Sequence, residues 1–137
     1  LMSMKNASRP SWAVLTILLA STLLLAGCAT PKAPEDGAFV HHVFFWLKDG
    51  GNPQVQRQFE AGLQELVTIE NIASYKLGKP ANTPRNVVDN SYDYSLLLIF
   101  ADKEQQDVYQ EHPAHKKFID ENEELWQRVQ VYDSVDY

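Results

Sequence analysis

The residues best suited to chemistry fall in one short stretch. Tyr109-x-x-His112-Pro113-x-His115 brings a phenol and two imidazoles close together in the chain. An imidazole titrates near neutral pH, so His115 or His112 can act as a general base, with Tyr109 holding a substrate oxygen. The structural reading of the same residues is a helix-start histidine and a buried partner bonded to backbone. A second pair, His41 and His42, sits in an extended segment, where neighbouring side chains leave on opposite faces. His112 and His115 can reach one ion, but zinc wants three or four converging ligands, so no metal is expected. Tyr92, Tyr94 and Tyr109 either line a pocket or pack with their hydroxyls at its rim. The run Asp120, Glu121, Glu123, Glu124 reads as a solvated helix face. No nucleophile elbow, phosphate loop or dinucleotide fingerprint is present, and no cofactor is expected.

The elements that must position these groups are legible from hydrophobic spacing. The chain has 137 residues, 45% hydrophobic and 22% charged, which suits one ordinary domain and excludes wholesale disorder. Its net charge of −6 lacks the clustered cations of a nucleic-acid footprint. Phe39 to Lys48 is a strand, ended by Asp49-Gly50-Gly51-Asn52-Pro53. Its alternation puts His41, Val43, Phe45 and Leu47 on one face and Val40, His42, Phe44 and Trp46 on the other. Both faces are apolar, as in a strand covered on both sides. Asn52 and Pro53 open a helix whose apolar positions run from Val55 to Ile69, ending near Glu70. Gly62 on that helix allows close approach to the sheet. Ala73 to Lys79 is a weaker strand, and Pro80 to Asn90 is a loop. Tyr92 to Phe100 is a second strong strand. Asp102 with Gln105 opens a short helix, Pro113 interrupts it, and a further helix runs from Ala114 to Arg128. Val129 to Tyr137 closes the chain as a strand.

This order predicts an α+β, ferredoxin-like βαββαβ domain, an antiparallel four-stranded sheet with helices on one face. The second apolar face has no cover within one chain of this length. A large uncovered apolar face marks an interface, so two sheets packed about a two-fold axis, a homodimer, are expected. Leu97 and Ile99 should join that interface.

The first segment has a different character. Lys5 and Arg9 are the only charges before Lys32, and an apolar core spans Ala13 to Leu25. A basic end, a short apolar middle and small residues at a cut make a secretory signal. Translation is expected to start at Met2 or Met4. The run Leu25-Ala26-Gly27-Cys28 resembles the lipobox of bacterial lipoproteins. That resemblance implies a signal peptide over 1–27, a Cys28 acylated with diacylglyceryl and palmitate-type chains, and a tether over 28–37. Two or three acyl chains hold a protein stably on a membrane. With Cys28 used as an anchor, no thiol remains for a metal or disulfide. Ala29 rather than Asp after the cysteine implies the outer membrane, facing the periplasm, in a Gram-negative cell envelope. Cleavage removes two cations and leaves a net charge of −8, a surface with no attraction to anionic headgroups.

The domain itself, 38–137, resembles a known family. His41-His42-Val43-Phe44-Phe45-Trp46-Leu47-Lys48-Asp49 is similar to the opening strand of the stress-responsive A/B barrel (Dabb) domain. So are Asp107-Val108-Tyr109 with His112-Pro113-Ala114-His115, and the closing Trp126 and Val131-Tyr132-Asp133. The Tyr-x-x-His-Pro-x-His signature is the specific part. The resemblance implies a dimeric α/β barrel. The family includes plant heat- and salt-responsive proteins, a plant polyketide cyclase and many bacterial members without assigned activity. In the cyclase a tyrosine and a histidine of this signature act as a base and its orienting partner, roles that the resemblance carries to Tyr109 and His115. A pocket histidine on the first strand corresponds to His41, with His42 as the alternative one residue away. The cyclase has a further histidine on its third strand; here that position is Tyr94. This departure weighs against the cyclase reaction but leaves a phenol able to hydrogen-bond a ligand.

Three functions are compatible with these residues. One is an envelope-anchored, stress-related module that binds a small hydrophobic or aromatic molecule at His41, Tyr94, Tyr109 and His115. Another is a cofactor-free lyase or cyclase using the Tyr109–His115 pair. The last is a purely structural envelope dimer with a packed interior. Binding is the favoured expectation, and the sequence names no ligand.

Overall fold

The computed structural model describes residues 37–137. The expected signal peptide, Cys28 and nearly all of the tether lie outside the described residues. Strand β1 spans Phe39–Leu47 and alternates strictly between buried and partly exposed positions. Helix α1 spans Pro53–Leu66, with Pro53 in its first turn. Its cap is Asn52, whose side-chain oxygen accepts from the Gln54 amide at 2.9 Å. Strand β2 is Ser74–Gly78 and β3 is Tyr94–Phe100. Helix α2 spans Lys103–Glu111, capped by Asp102, which accepts from the Gln105 amide at 2.8 Å. Helix α3 spans Pro113–Asn122, a single 3₁₀ turn covers Glu123–Leu125, and β4 is Trp126–Val135.

The sheet order is β2-β3-β1-β4 and every pairing is antiparallel. The domain is therefore a ferredoxin-like α+β fold. Phe45 and Leu47 of β1 and Leu96, Leu98 and Phe100 of β3 pack with Phe59 and Leu63 of α1, Tyr109 of α2 and Phe118 of α3. The opposite sheet face carries Val40, His42, Phe44 and Trp46 beside Leu97 and Ile99. The register fixes this by pairing Val40 with Ile99 and His42 with Leu97. These side chains stay partly exposed because, among the described residues, no helix covers them.

Three sequence expectations need correction. Helix α1 stops at Leu66, not near Glu70. Val67 and Ile69 are still buried, but in a turn closed by Thr68 Oγ1 donating to the Glu65 carbonyl at 2.7 Å. Apolar spacing thus outlasts the helix, because the turn is buried too. The third helix ends at Asn122, not Arg128, and β4 begins at Trp126, not Val129. Trp126 pairs with Leu47, and the Lys48 amide donates to the Leu125 carbonyl at 2.8 Å. Gly62 serves helix–helix contact, not helix–sheet contact. A Cβ there would lie 2.9 Å from Asn122 Nδ2 and 3.2 Å from the Phe118 ring on α3.

Candidate functional site

A cavity of about 210 Å³ lies between the sheet and the α2–α3 corner. His41, Val43 and Phe45 of β1 and Val129 and Val131 of β4 form the sheet side. Tyr109 and Gln110 of α2 and His115, Phe118 and Ile119 of α3 form the other, with Trp126 at one end. An apolar cavity of about 150 Å³ holds benzene, so this space suits one small aromatic ring with substituents.

Each polar group has a local origin. His41 belongs to the buried face of β1 because strand alternation puts it in phase with Val43 and Phe45. Antiparallel register pairs it with Asp133 of β4. Its Nδ1–H donates to Asp133 Oδ1 at 2.6 Å, which commits that nitrogen and leaves Nε2 uncommitted. Tyr109 is 1% exposed. Its ring lies 4.5 Å from that of His115 and 6.1 Å from that of His41, centroid to centroid. Burial holds its phenol well above the ordinary value of 10.0, so at neutral pH it is a protonated donor.

The break at Pro113 arranges the two remaining histidines. His112 caps α3, and its Nδ1 accepts from the Ala114 amide at 3.1 Å. Such a cap contributes about 1 kcal/mol. His115, half-buried in the first turn of α3, donates from Nδ1–H to the Gln110 carbonyl at 3.1 Å. Burial lowers its pKa below 6.5, and His41 and His112 add to the effect; the Gln110 carbonyl and Glu111 oppose it. His115 is thus a neutral imidazole at neutral pH with Nε2 unprotonated. Among the described residues no partner takes the Nε2 of His41 or of His115. The structural reading therefore describes His112 fully and His115 on one nitrogen only.

His41, Tyr109 and His115 come together at this cavity. His42 does not, because it leaves β1 on the opposite face, with its ring 4.3 Å from Phe44. Tyr94 does not line it either. Although Tyr94 shares the helix-side face with His41, β3 carries it toward α1, where its hydroxyl donates to Glu60 Oε1 at 2.8 Å. Glu60 also pairs with Lys79 at 2.7 Å. Those three border a different cavity, of about 250 Å³, beside Leu63 and Leu77. There Tyr94, Glu60 and Lys79 already satisfy one another, whereas in the first cavity two imidazoles keep Nε2 without a partner among the described residues. Among the described residues no three His, Cys, Asp or Glu side chains gather as a metal set, and no helix is long and apolar enough to cross a membrane.

Sequence reasoning did not assign Asp133 and Gln110 to the site. Asp133 had a signal: it interrupts the alternating Val129, Val131, Val135 face of β4 with an acid. Gln110 had none, since it acts through its carbonyl. Helical spacing puts Trp126 on a helix, which hides its place in β4 as a wall of the cavity.

A four-stranded antiparallel sheet with its helices on one face, bordering an open cavity at one corner, defines a ferredoxin-like α+β protein. The family model of the stress responsive A/B barrel domain matches residues 39–136, and the chain belongs to that family. Among solved structures, a Dabb family protein with a ferredoxin-like fold from Mesorhizobium loti is 20% identical, with a TM-score of 0.63 over 74% of this chain and 99% of that one. A dimeric ferredoxin-like protein of unknown function from Thermobifida fusca is 17% identical, with a TM-score of 0.61 over 74% and 92%. Hydroxynitrile lyase from Passiflora edulis is 15% identical, with a TM-score of 0.63 over 75% and 96%. At these identities the likeness speaks to the fold alone. No curated protein matches the chain significantly.

Proposed function

We propose that this protein is an envelope-anchored binding module for a small, flat, largely apolar molecule bearing a hydroxyl or similar acidic hydrogen. One observation carries the reading: His41 and His115 border one cavity with Tyr109, each with Nδ1 engaged and Nε2 free. Apolar walls suit a flat ring, the two Nε2 atoms can meet donors of the ligand, and the Tyr109 phenol can donate to a ligand oxygen. Anchoring through Cys28 is supported by the lipobox-like spacing of residues 25–28. A homodimer is supported by the apolar sheet face that no helix among the described residues covers, and by structures of this fold described as dimeric. A stress-related role agrees with the family.

Mass spectrometry of small molecules extracted from natively purified protein tests the binding role. A co-purifying aromatic, enriched over its level in His115→Ala protein, is the expected result. Equal extracts from both proteins contradict it.

A second reading, a cofactor-free lyase or cyclase, is favoured by the His41–Asp133 pair. A carboxylate that orients an imidazole and stabilises its cation helps it take a proton. In that reading His41 or His115 takes the acidic proton at Nε2 and Tyr109 holds the oxygen. Incubation with an aromatic cyanohydrin, followed by cyanide detection, tests the lyase form. Release above the solvent rate, lost in His41→Ala, supports turnover; no release leaves binding as the function.

A further inference from the structure

The α2–α3 break does more than place two histidines near each other. In an uninterrupted helix the Ala114 amide would donate to the carbonyl four residues back, that of Gln110. Here α2 ends at Glu111, Pro113 supplies no N–H, and the Ala114 amide donates to His112 Nδ1 at 3.1 Å. The Gln110 carbonyl is thereby one of the orphan acceptors at the end of α2. The imidazole of His115 fills that vacancy, with Nδ1 3.1 Å from the Gln110 oxygen. The Ala114 N–H can only donate, so His112 Nδ1 is the acceptor; His112 Nε2 lies 3.7 Å from the exposed Glu70 carboxylate, beyond hydrogen-bond reach.

We infer that His112 is a positioning residue that sets the tautomer of His115 by keeping the Ala114 amide away from the Gln110 carbonyl. This rests on reading His115 Nε2 as the acceptor for a ligand's hydrogen. With His112 in place, the Gln110 oxygen holds the proton of His115 on Nδ1 and leaves Nε2 bare. Without it, the Ala114 amide has no acceptor on residue 112. Where the chain turns helical through that residue, the amide reaches the Gln110 carbonyl and weakens its hold on the His115 proton. The tautomer that carries its proton on Nε2 then gains population, and the cavity loses an acceptor. A helix cap with no such role would change stability and leave His115 alone. The two functions need different atoms: capping needs any acceptor at residue 112, while the relay also needs the Gln110 carbonyl free.

The test is nitrogen NMR of labelled protein at pH 8, which distinguishes the two imidazole tautomers without any ligand. In the unmutated protein His115 should be protonated on Nδ1, and a coupling across the hydrogen bond should link the Ala114 amide nitrogen to His112 Nδ1. In His112→Ala, His115 should move toward the Nε2–H form. In His112→Asn, whose side-chain oxygen can accept from the Ala114 amide, the Nδ1–H form should return. An unchanged His115 tautomer in folded His112→Ala overturns the inference. So does absence of the coupling in the unmutated protein, a measurement that stands even where His112→Ala does not fold. Failure of the binding reading is separate: there the tautomers behave as stated and extracts still contain no ligand.

Discussion

The chemistry of this domain comes down to which nitrogen of each histidine is occupied. His41 and His115 both spend Nδ1 on a fixed acceptor, an Asp133 oxygen and the Gln110 carbonyl, and so present Nε2. His115→Ala should weaken binding of a hydroxylated aromatic by roughly 10- to 100-fold, the worth of a buried hydrogen bond whose partner is left unpaired. Calorimetry against a monocyclic phenol, with circular dichroism to confirm the fold, reads this. The pH response follows from the direction of the shift. Burial puts the folded-state pKa of His115 below its ordinary 6.5, so the unfolded chain takes the proton more readily. Its contribution to stability is therefore complete above that ordinary value and is lost as pH falls from about 6.5 through the lower folded-state value. Ligand affinity should fall in the same acidic direction, and His115→Ala should flatten that part of the profile. Of these residues, Tyr109, His115 and His41 were legible because alternation and a short motif expose side-chain types. Tyr94 enters the expected pocket through the family resemblance, as the counterpart of the cyclase's third-strand histidine. A strand match does not say where along the sheet a side chain meets the helices, and β3 takes Tyr94 to the Glu60 side.

Helix ends position the site, and they were the least legible part of the sequence. Val67, Ile69, Leu125 and Trp126 are apolar at helical spacing, yet none of them is in an α-helix. Each is buried or packed against the core from a turn or from β4, and periodicity cannot separate those cases from one more helical turn. The breaks marked by special residues were readable: Asn52-Pro53, Asp102 and Pro113 all stand at observed helix starts. Gly62 offers a test of helix packing. Gly→Ala in a helix ordinarily gains about 1 kcal/mol. Here the added methyl meets Asn122, whose Nδ2 is committed to the Phe118 carbonyl at 2.9 Å, and the Phe118 ring itself. Overpacking costs about 1–3 kcal/mol, so Gly62→Ala should lower the urea midpoint, not raise it. Phe59, fully buried among Phe45, Tyr94 and Phe118, should cost about 3–5 kcal/mol as Ala.

At the scale of the whole molecule, the sheet face away from the helices is the surface that the proposed homodimer would bury. Val40, Phe44, Trp46, Leu97 and Ile99 form a partly exposed apolar surface at its centre. Arg128 stacks over Trp46 at 4.1 Å, and Tyr132 stands edge-on to Phe44. Two-sided alternation in β1 and β3 made this face readable in the sequence. Ile99→Asp should convert a dimer to monomer or unfold it, because a buried unpaired charge is very costly; light scattering at micromolar concentration reads the outcome. The cavity proposed to hold a ligand lies on the other side of the same sheet, so a monomeric variant that stays folded should still bind.

The central claim, a cavity whose two bare imidazole nitrogens accept from a hydroxylated ring, is tested most directly by a nitrogen NMR titration. A monocyclic phenol and its methyl ether are added separately to the protein at pH 8. Phenol should shift the Nε2 signals of His41 and His115 in a saturable way while their Nδ1–H signals hold, and the ether should bind more weakly by about tenfold. Unmoved Nε2 signals under saturating phenol, or equal affinity for the two compounds, would contradict the account.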